Sequence, residues 1–158
     1  KKVSKDRSFF AQWLAHLSIG LFIVAAVYTE QFDYEKNITF EKGDSNEIVL
    51  NEGASLLLEN IKDSDLSNHQ KISVDLIVVE KDLKFSLSPS KNIYQPSGQV
   101  TNEVSTVNRY FDQYYATISM IESDKVSINL VFKPFINLLW ISSILLVFSI
   151  FLSIIKRK

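Results

Sequence analysis

The chain has 158 residues, no cysteine, 22% charged residues and a mean hydropathy just above zero. Its 46% hydrophobic content excludes a disordered protein, and the absence of cysteine excludes a disulfide scaffold, a thiol oxidoreductase and a cysteine-ligated metal site. Seventeen of the 18 acidic residues and ten of the 17 basic residues lie between Glu30 and Lys133, which gives that stretch a net charge of −7 and the two ends together +6. No basic patch with interleaved aromatic residues occurs, so a nucleic-acid partner is not expected.

The first predicted element is a transmembrane helix over residues 8–28. This run of 21 residues contains no formal charge and no proline. A helix of that length spans about 31 Å, close to the hydrocarbon thickness of a bilayer. Residues 1–7 precede it as a basic flank that we expect in the cytoplasm. A cleaved signal peptide is the alternative for this segment, although Ala25-Ala26-Val27-Tyr28 is only a faint match to a cleavage site.

Residues 29–134 are predicted to form a mainly β domain, because short β-rich runs alternate with turn signals and no stretch keeps a 3.6-residue apolar period. From Ile72 to Val79, apolar residues alternate with a more mixed set, which predicts one buried face. Lys42-Gly43-Asp44 and Glu122-Ser123-Asp124 are predicted turns, and a loop is predicted around Pro89 and Pro96. The pattern indicates a small sandwich or a partly open barrel. The predicted strands are Asn37–Glu41, Glu47–Leu50, Ala54–Ile61, Lys71–Val79, Leu83–Leu87, Tyr114–Ile121 and Lys125–Phe132.

Residues 135–155 form a second uncharged run and predict a second transmembrane helix, followed by a basic tail over residues 156–158. Lys and Arg therefore cluster outside the outer ends of both helices, and the positive-inside rule places both termini in the cytoplasm. Residues 29–134 then lie on the extracytoplasmic side. The predicted fold class is a membrane protein in which two transmembrane helices flank a mainly β extracytoplasmic domain.

His16 is the most informative residue for function, because an ionisable side chain inside a membrane span is costly and needs partners. Gln12, His16 and Gly20 recur at every fourth position and so lie along one face of the first helix. In the functional interpretation, His16 ligates a metal, with haem iron favoured because imidazole is its common axial ligand. In the alternative, His16 makes an interhelical hydrogen bond supported by Gln12, and Gly20 is a packing site.

Other candidate residues give weaker signals. His69 lies in a polar segment with no second metal ligand at a useful spacing, so we interpret it as exposed. Asp63-Ser64-Asp65 is similar to a piece of a calcium loop but lacks the glycine and the downstream glutamate. No phosphate-binding loop, hydrolase elbow or zinc-protease motif occurs. The sequence therefore contains no self-contained active site.

Several short elements occur in the order and spacing of a known family. They are Leu14-Ala15-His16-Leu17 with Gly20, Pro89-Ser90-Lys91 with Tyr94, Thr101-x-Glu103, Asp112-Gln113-Tyr114-Tyr115, and Lys133-Pro134 before a helix containing Trp140. Together they resemble the C-terminal portion of the CcmF/NrfE family, the membrane subunits of the cytochrome c maturation haem lyase. Ser18 stands where the family usually has a glycine, and the Trp-rich haem-presenting motif of the family is absent from this sequence.

The resemblance implies that His16 is one axial ligand of a membrane-embedded b-type haem, with Gln12 and Gly20 beside it. The second ligand would come from a helix outside this sequence, and the chain would be a fragment or a separately encoded subunit of a haem lyase. The implied reaction is covalent attachment of haem to apocytochrome c, for which this segment alone is not a complete active site.

The resemblance also implies partners and a location. The partners would be the remainder of the polytopic lyase domain, other maturation subunits including a haem chaperone, and apocytochrome c. The location would be a bacterial or mitochondrial inner membrane, with residues 29–134 periplasmic in a bacterium. The rival hypothesis is a non-catalytic two-helix membrane protein whose β domain binds a ligand or assists assembly without a cofactor.

Overall fold

The structure, a computed structural model, describes residues 2–41, 47–51, 53–122 and 125–155. The described residues form two helices and ten strands. In chain order these are α1 (Lys2–Phe32), β1 (Tyr34–Glu41), β2 (Glu47–Asn51), β3 (Ala54–Asp65), β4 (His69–Glu80), β5 (Leu83–Leu87), β6 (Ser90–Tyr94), β7 (Val100–Glu103), β8 (Ser105–Arg109), β9 (Asp112–Ile121), β10 (Lys125–Lys133) and α2 (Ile136–Ile154).

The chain divides into two compact units. The helical unit contains both helices together with residues 109–113 and 133–135. The β unit contains residues 34–108 and 114–132. The predicted turn at Lys42-Gly43-Asp44 lies outside the described residues, as do Ser123 and Asp124 of the second predicted turn.

Both helices match predicted segments, but α1 continues beyond its predicted bounds at each end. The predicted segment ends at Tyr28, shortly before the first charged residue, Glu30. A charge does not end a helix, and Glu30 and Gln31 are good helix formers, so α1 continues to Phe32. The last turn closes with a hydrogen bond from the backbone N–H of Asp33 to the Thr29 carbonyl at 3.0 Å. α2 starts one residue after the predicted segment begins and ends one residue before the predicted segment does.

The surface of the helical unit is unusually apolar. Phe9–Phe32 and Ile136–Ile154 are each long and apolar enough to cross a membrane, and only a small share of each is buried. Away from the contact between α1 and α2, both helices expose large apolar side chains such as Phe9, Val27 and Ile144. A contiguous apolar surface of this kind is rare on a soluble monomer and indicates contact with lipid or with another protein.

The β unit consists of two open antiparallel sheets with one common core. One sheet has the strand order β1-β10-β9-β8, and the other has the order β2-β3-β4-β6-β7 with β5 also paired to β4. The inward residues of both sheets form one hydrophobic cluster, which is the arrangement of a sandwich. The predicted alternation in β4 is confirmed, because Ile72, Val74, Leu76 and Val78 are all buried.

The predicted loop around Pro89 and Pro96 is wrong in part. All seven predicted strands are present, and the described residues between Ser88 and Arg109 add β6, β7 and β8. β6 and β7 escaped detection because their sequences are polar: buried Ser90 and Asn92 occupy positions where a core strand would have aliphatic residues. Their pairing with β4 and with each other makes them strands.

We expect Leu76→Ala to destabilise the β unit by about 2–5 kcal/mol, because Leu76 is 0% exposed and its truncation leaves a cavity. Leu83→Ala is the matched control, since Leu83 is 44% exposed in the neighbouring strand β5 and should change stability by no more than about 0.5 kcal/mol. Equilibrium denaturation of the full chain in mild detergent, followed by near-UV circular dichroism, measures both. Equal losses in the two variants would contradict the assigned core.

Candidate functional site

The two helices meet along a line of small side chains. On α1 the buried residues are Ala11, Leu14, Ser18, Ala25 and Thr29, and on α2 they are Ser142 and Ser149. Small residues allow two helix backbones to approach closely, which is the usual basis of packing between membrane helices. The buried hydroxyls bond within the unit: Ser18 donates to the Leu14 carbonyl at 2.7 Å, and Thr29 donates to the Pro134 carbonyl at 2.6 Å. We call this line the helix seam.

His16 lies on the face of α1 opposite the helix seam. At about 100° per residue, two positions separate His16 from Ser18 by about 200°, so the imidazole points away from α2 and is exposed. Gln12 and Gly20 share this face with His16 and are exposed as well. The expectation that these three residues line one face therefore holds in the structure. Any group that His16 binds must come from outside this chain's helix pair.

One hydrogen bond orients the imidazole of His16. Nδ1 lies 2.7 Å from the backbone carbonyl oxygen of Gln12, one turn earlier in α1. A carbonyl oxygen can only accept, so Nδ1 donates in this contact, and in the neutral ring Nε2 is the nitrogen that carries the lone pair. Within the described part of the chain, Nε2 has no hydrogen-bond partner. A ligating histidine usually has this arrangement, in which the second ring nitrogen donates to a fixed acceptor.

The alternative role of His16, an interhelical hydrogen bond, is not made with α2, because the ring is on the far side of α1 from α2. A hydrogen bond from His16 to a helix outside this chain stays a prediction. Gln12 supports His16 through its backbone carbonyl, whereas the sequence had suggested its side chain. A Cβ at Gly20 would meet no atom of the described chain within 4 Å, so Gly20 does not pack against α2. Its suggested role in packing against a helix outside this chain stays a prediction. Gly20 leaves open space one helical turn from His16.

The donor set around His16 fits a single axial ligand of haem. Among the described residues, no three His, Asp or Glu side chains lie close enough together to hold a metal ion. A zinc or calcium site needs several ligands from the protein, whereas haem iron needs one ligand on each side of the macrocycle. The His16 imidazole, with open space at Gly20 beside it, fits the need for one ligand on one side of the macrocycle.

The other candidates from the sequence are structural. His69 is half-buried rather than fully exposed: its ring packs against Tyr94 with centroids 5.0 Å apart, and Nδ1 bonds to Oδ1 of Asn68 at 2.7 Å. The Asp63 carboxylate accepts two hydrogen bonds from Nε2 of Gln70, both at 3.0 Å, across the β3–β4 hairpin. These contacts satisfy the polar groups locally and explain the residues without a metal.

A groove of about 530 Å³ lies along the outer face of α2. It is lined by Trp140, Ser143, Ile144, Val147, Phe148 and Phe151. None of these lining side chains is an imidazole or a carboxylate, so among the described residues the groove offers no such metal ligand.

A polar cluster around Glu103 joins strands β4, β6 and β7 in the β unit. Glu103 accepts hydrogen bonds from the Ser90 hydroxyl at 2.6 Å, from the Lys71 ammonium at 2.9 Å and from the Asn92 amide at 2.9 Å. These donors, Ser90 first, lower the pKa of the Glu103 carboxyl to about 2. The cluster was not predicted from residue chemistry. Its only sequence signals were the Pro89-Ser90-Lys91 and Thr101-x-Glu103 elements, which the structure pairs as neighbouring strands.

We expect the side-chain carboxyl resonance of Glu103 to titrate with a midpoint near pH 2 rather than near its ordinary value of 4.5. Because the folded pKa is depressed, the cluster stabilises the fold fully above about pH 4.5, and this contribution is lost as the pH falls toward 2. Ser90→Ala removes the largest cause and should raise the midpoint. Ser105→Ala, which removes a hydroxyl bonded to the Ser88 backbone, should leave it unchanged. A midpoint near 4.5 in the unmodified chain would contradict the cluster.

A comparison with solved structures finds a protein of similar fold. No protein-family model matches the chain, and no curated protein matches it. Among solved structures, the chain is similar to "Cytochrome c Heme Lyase CcmF", with a TM-score of 0.73 at 12% sequence identity. The match covers 95% of this chain and 25% of the length of that one. The chain therefore has the fold of about a quarter of CcmF.

Proposed function

We propose that this chain is part of a membrane-embedded cytochrome c haem lyase, in which His16 supplies one axial ligand to a b-type haem. The observation that carries the proposal is the orientation of His16. Its Nδ1–H donates to the Gln12 carbonyl, and the residue is exposed on the face of α1 opposite α2. The likeness in fold to a solved cytochrome c haem lyase supports a role in cytochrome c maturation.

Each residue of the site has a separate task in this proposal. His16 binds iron through Nε2, and the Gln12 carbonyl fixes the tautomer and the direction of the ring. Gly20 leaves room beside the imidazole for the edge or face of a flat macrocycle. Exposed Phe9 and Trp13 lie on the same side of α1 and supply apolar surface that suits a porphyrin. When bound, the haem supplies one-electron redox chemistry.

The second axial ligand comes from another polypeptide segment. The chain contains two histidines, and His69 is engaged by Asn68 and Tyr94 in the β unit. The exposed apolar face around His16 is a suitable surface for a further transmembrane helix, because lipid-facing helices rarely present an oriented imidazole. The remainder of a polytopic lyase domain would provide that helix. The structure that this chain resembles is about four times longer, which leaves room for such a domain.

The location and the other partners follow from the same proposal. Both termini lie in the cytoplasm, residues 8–28 and 135–155 cross an inner membrane, and residues 29–134 are periplasmic in a bacterium. The β domain, with its net charge of −7, is the surface for docking a haem chaperone and basic segments of apocytochrome c. The chain contributes a ligand and a docking domain, and bond formation between haem and substrate thiols requires other parts of the complex.

We expect His16→Ala to remove the b-type haem from the assembled complex, because no other described side chain of the helical unit can replace the imidazole. His69→Ala is the matched control, with the same substitution at the other histidine, and should retain the haem. Reduced-minus-oxidised absorption spectra and pyridine haemochrome content of complexes purified at equal protein levels measure the effect. An unchanged α-band in His16→Ala would reject the ligand role of His16, whereas the absence of an α-band from the unmodified complex would favour the cofactor-free alternative.

We expect Gly20→Leu to lower haem content several-fold without destabilising the helix pair. A helical side chain leans toward the preceding turn, so a leucine at position 20 would fill the space beside His16. It would contact nothing else, since the space at Gly20 is open within the described chain. Gly20→Ala is the graded control and should retain most of the haem while favouring the helix by about 1 kcal/mol. Full haem occupancy in Gly20→Leu would show that the macrocycle does not lie against this turn.

A further inference from the structure

The turn between β8 and β9 belongs to the helical unit and is bound to the start of α2. The Asn137 backbone N–H donates to the Phe111 carbonyl at 3.0 Å, and the Asn137 side-chain amide donates to the Tyr110 carbonyl at 3.0 Å. In return, Asp112 accepts a hydrogen bond from the backbone N–H of Phe135 at 3.0 Å. The backbone at Tyr110 and Phe111 is therefore held at the level of the first turn of α2.

The two aromatic rings of this turn are presented outward. Tyr110 is 84% exposed, although its backbone has a φ of 50°, a conformation that costs energy for a residue with a side chain. Phe111 is about half exposed and stacks on Phe135 with ring centroids 6.1 Å apart. The positive φ of Tyr110 belongs to the tight turn between β8 and β9, and this turn leaves the ring uncovered by the described chain.

Other aromatic residues lie at the same end of the helix pair. Tyr28 packs edge-on against Phe135 at 4.7 Å and also contacts Phe32 at 4.4 Å. Phe32 is exposed at the end of α1, and Trp140 is exposed near the beginning of α2. The ends of the two helices meet here, since Thr29 donates to the Pro134 carbonyl.

A charged pair marks the outer limit of this aromatic zone. Lys133 and Asp33 form an ion pair at 3.1 Å directly beyond the last residue of α1. Aromatic rings just inside a charged boundary are typical of the interface between hydrocarbon and headgroups. There the apolar part of a Tyr or Trp ring contacts acyl chains while its polar group contacts headgroups or water. The Tyr110 ring, with its phenolic hydroxyl, is of the type found there.

We propose that Tyr110 and Phe111 form a membrane anchor that inserts into the headgroup and upper acyl region of the bilayer beside the helix pair. The continuous aromatic zone around the two helix ends favours lipid over a protein partner. The anchor would fix the β8–β9 turn at the membrane surface. This inference rests on the proposed membrane insertion of the helices and is independent of haem binding.

The test places one tryptophan in the full chain, reconstituted into phosphatidylcholine vesicles. Trp13→Phe and Trp140→Phe remove the two native tryptophans, and Tyr110→Trp then introduces a single probe in the turn. Phe22→Trp in the same background is the matched control, because Phe22 lies near the middle of the apolar segment Phe9–Phe32. Phe111→Trp is a second probe of the turn, and it leaves Tyr110, the residue with positive φ, unchanged. Fluorescence quenching is measured with lipids bearing a nitroxide near the headgroup or near the acyl terminus, and with aqueous acrylamide.

The expected result is preferential quenching of the probe at position 110 by the shallow nitroxide, and of the probe at position 22 by the deep one. Strong acrylamide quenching at position 110, with little quenching by either lipid, would overturn the anchor and indicate a turn in water. Protection of position 110 from all three quenchers would overturn it in favour of a protein contact. If position 22 is also unquenched by lipid, the membrane insertion of the helices fails together with the anchor.

Discussion

The helix seam is the constraint on which the rest of the site depends. Ser18 and Ala25 on α1 and Ser142 and Ser149 on α2 are all but inaccessible, and their small size lets the two backbones approach. This packing fixes the rotation of α1 about its own axis. With that rotation set, His16 must lie on the opposite side of the helix, whatever its own interactions. The imidazole is consequently exposed on the side of α1 away from α2, where we propose that it meets a partner from outside the chain.

The β unit is held together by an apolar core and by a polar cluster. Its two sheets share one apolar core, and the Glu103 cluster links three strands on a polar face by hydrogen bonds to a single carboxylate. A charge-assisted set of this kind is stronger than bonds between neutral groups and fixes the geometry of β6 and β7. Residues 29–134 carry a net charge of −7, and we propose this domain as the surface on which soluble partners dock. At 12% identity to the CcmF structure, the similarity lies in packing pattern and topology rather than in residue identity.

The sequence predicted those features whose causes are local. The two uncharged runs gave both helices, and the alternation from Ile72 to Val78 gave the buried face of β4, because each depends only on periodicity along the chain. Strands β6–β8 were missed because polar strands are stabilised by pairing with distant segments. The Glu103 cluster and the contact of Asn137 with the Tyr110 turn were likewise invisible, since they join residues far apart in sequence. For His16, spacing gave the correct face, but only coordinates identify the Gln12 backbone carbonyl as its partner.

The most direct test of the central claim is to identify the nitrogen that is bound to iron. In a His69→Gln variant, His16 is the only histidine of the chain, so labelling the chain with ¹⁵N-imidazole histidine labels one possible ligand. The labelled chain is assembled with unlabelled partner subunits, and pulsed electron paramagnetic resonance of the oxidised haem measures the nitrogen couplings. The account predicts a strong coupling to one ¹⁵N nucleus, which is absent when the chain carries unlabelled histidine. Couplings to ¹⁴N alone would contradict it, because the iron would then have both axial ligands from other chains.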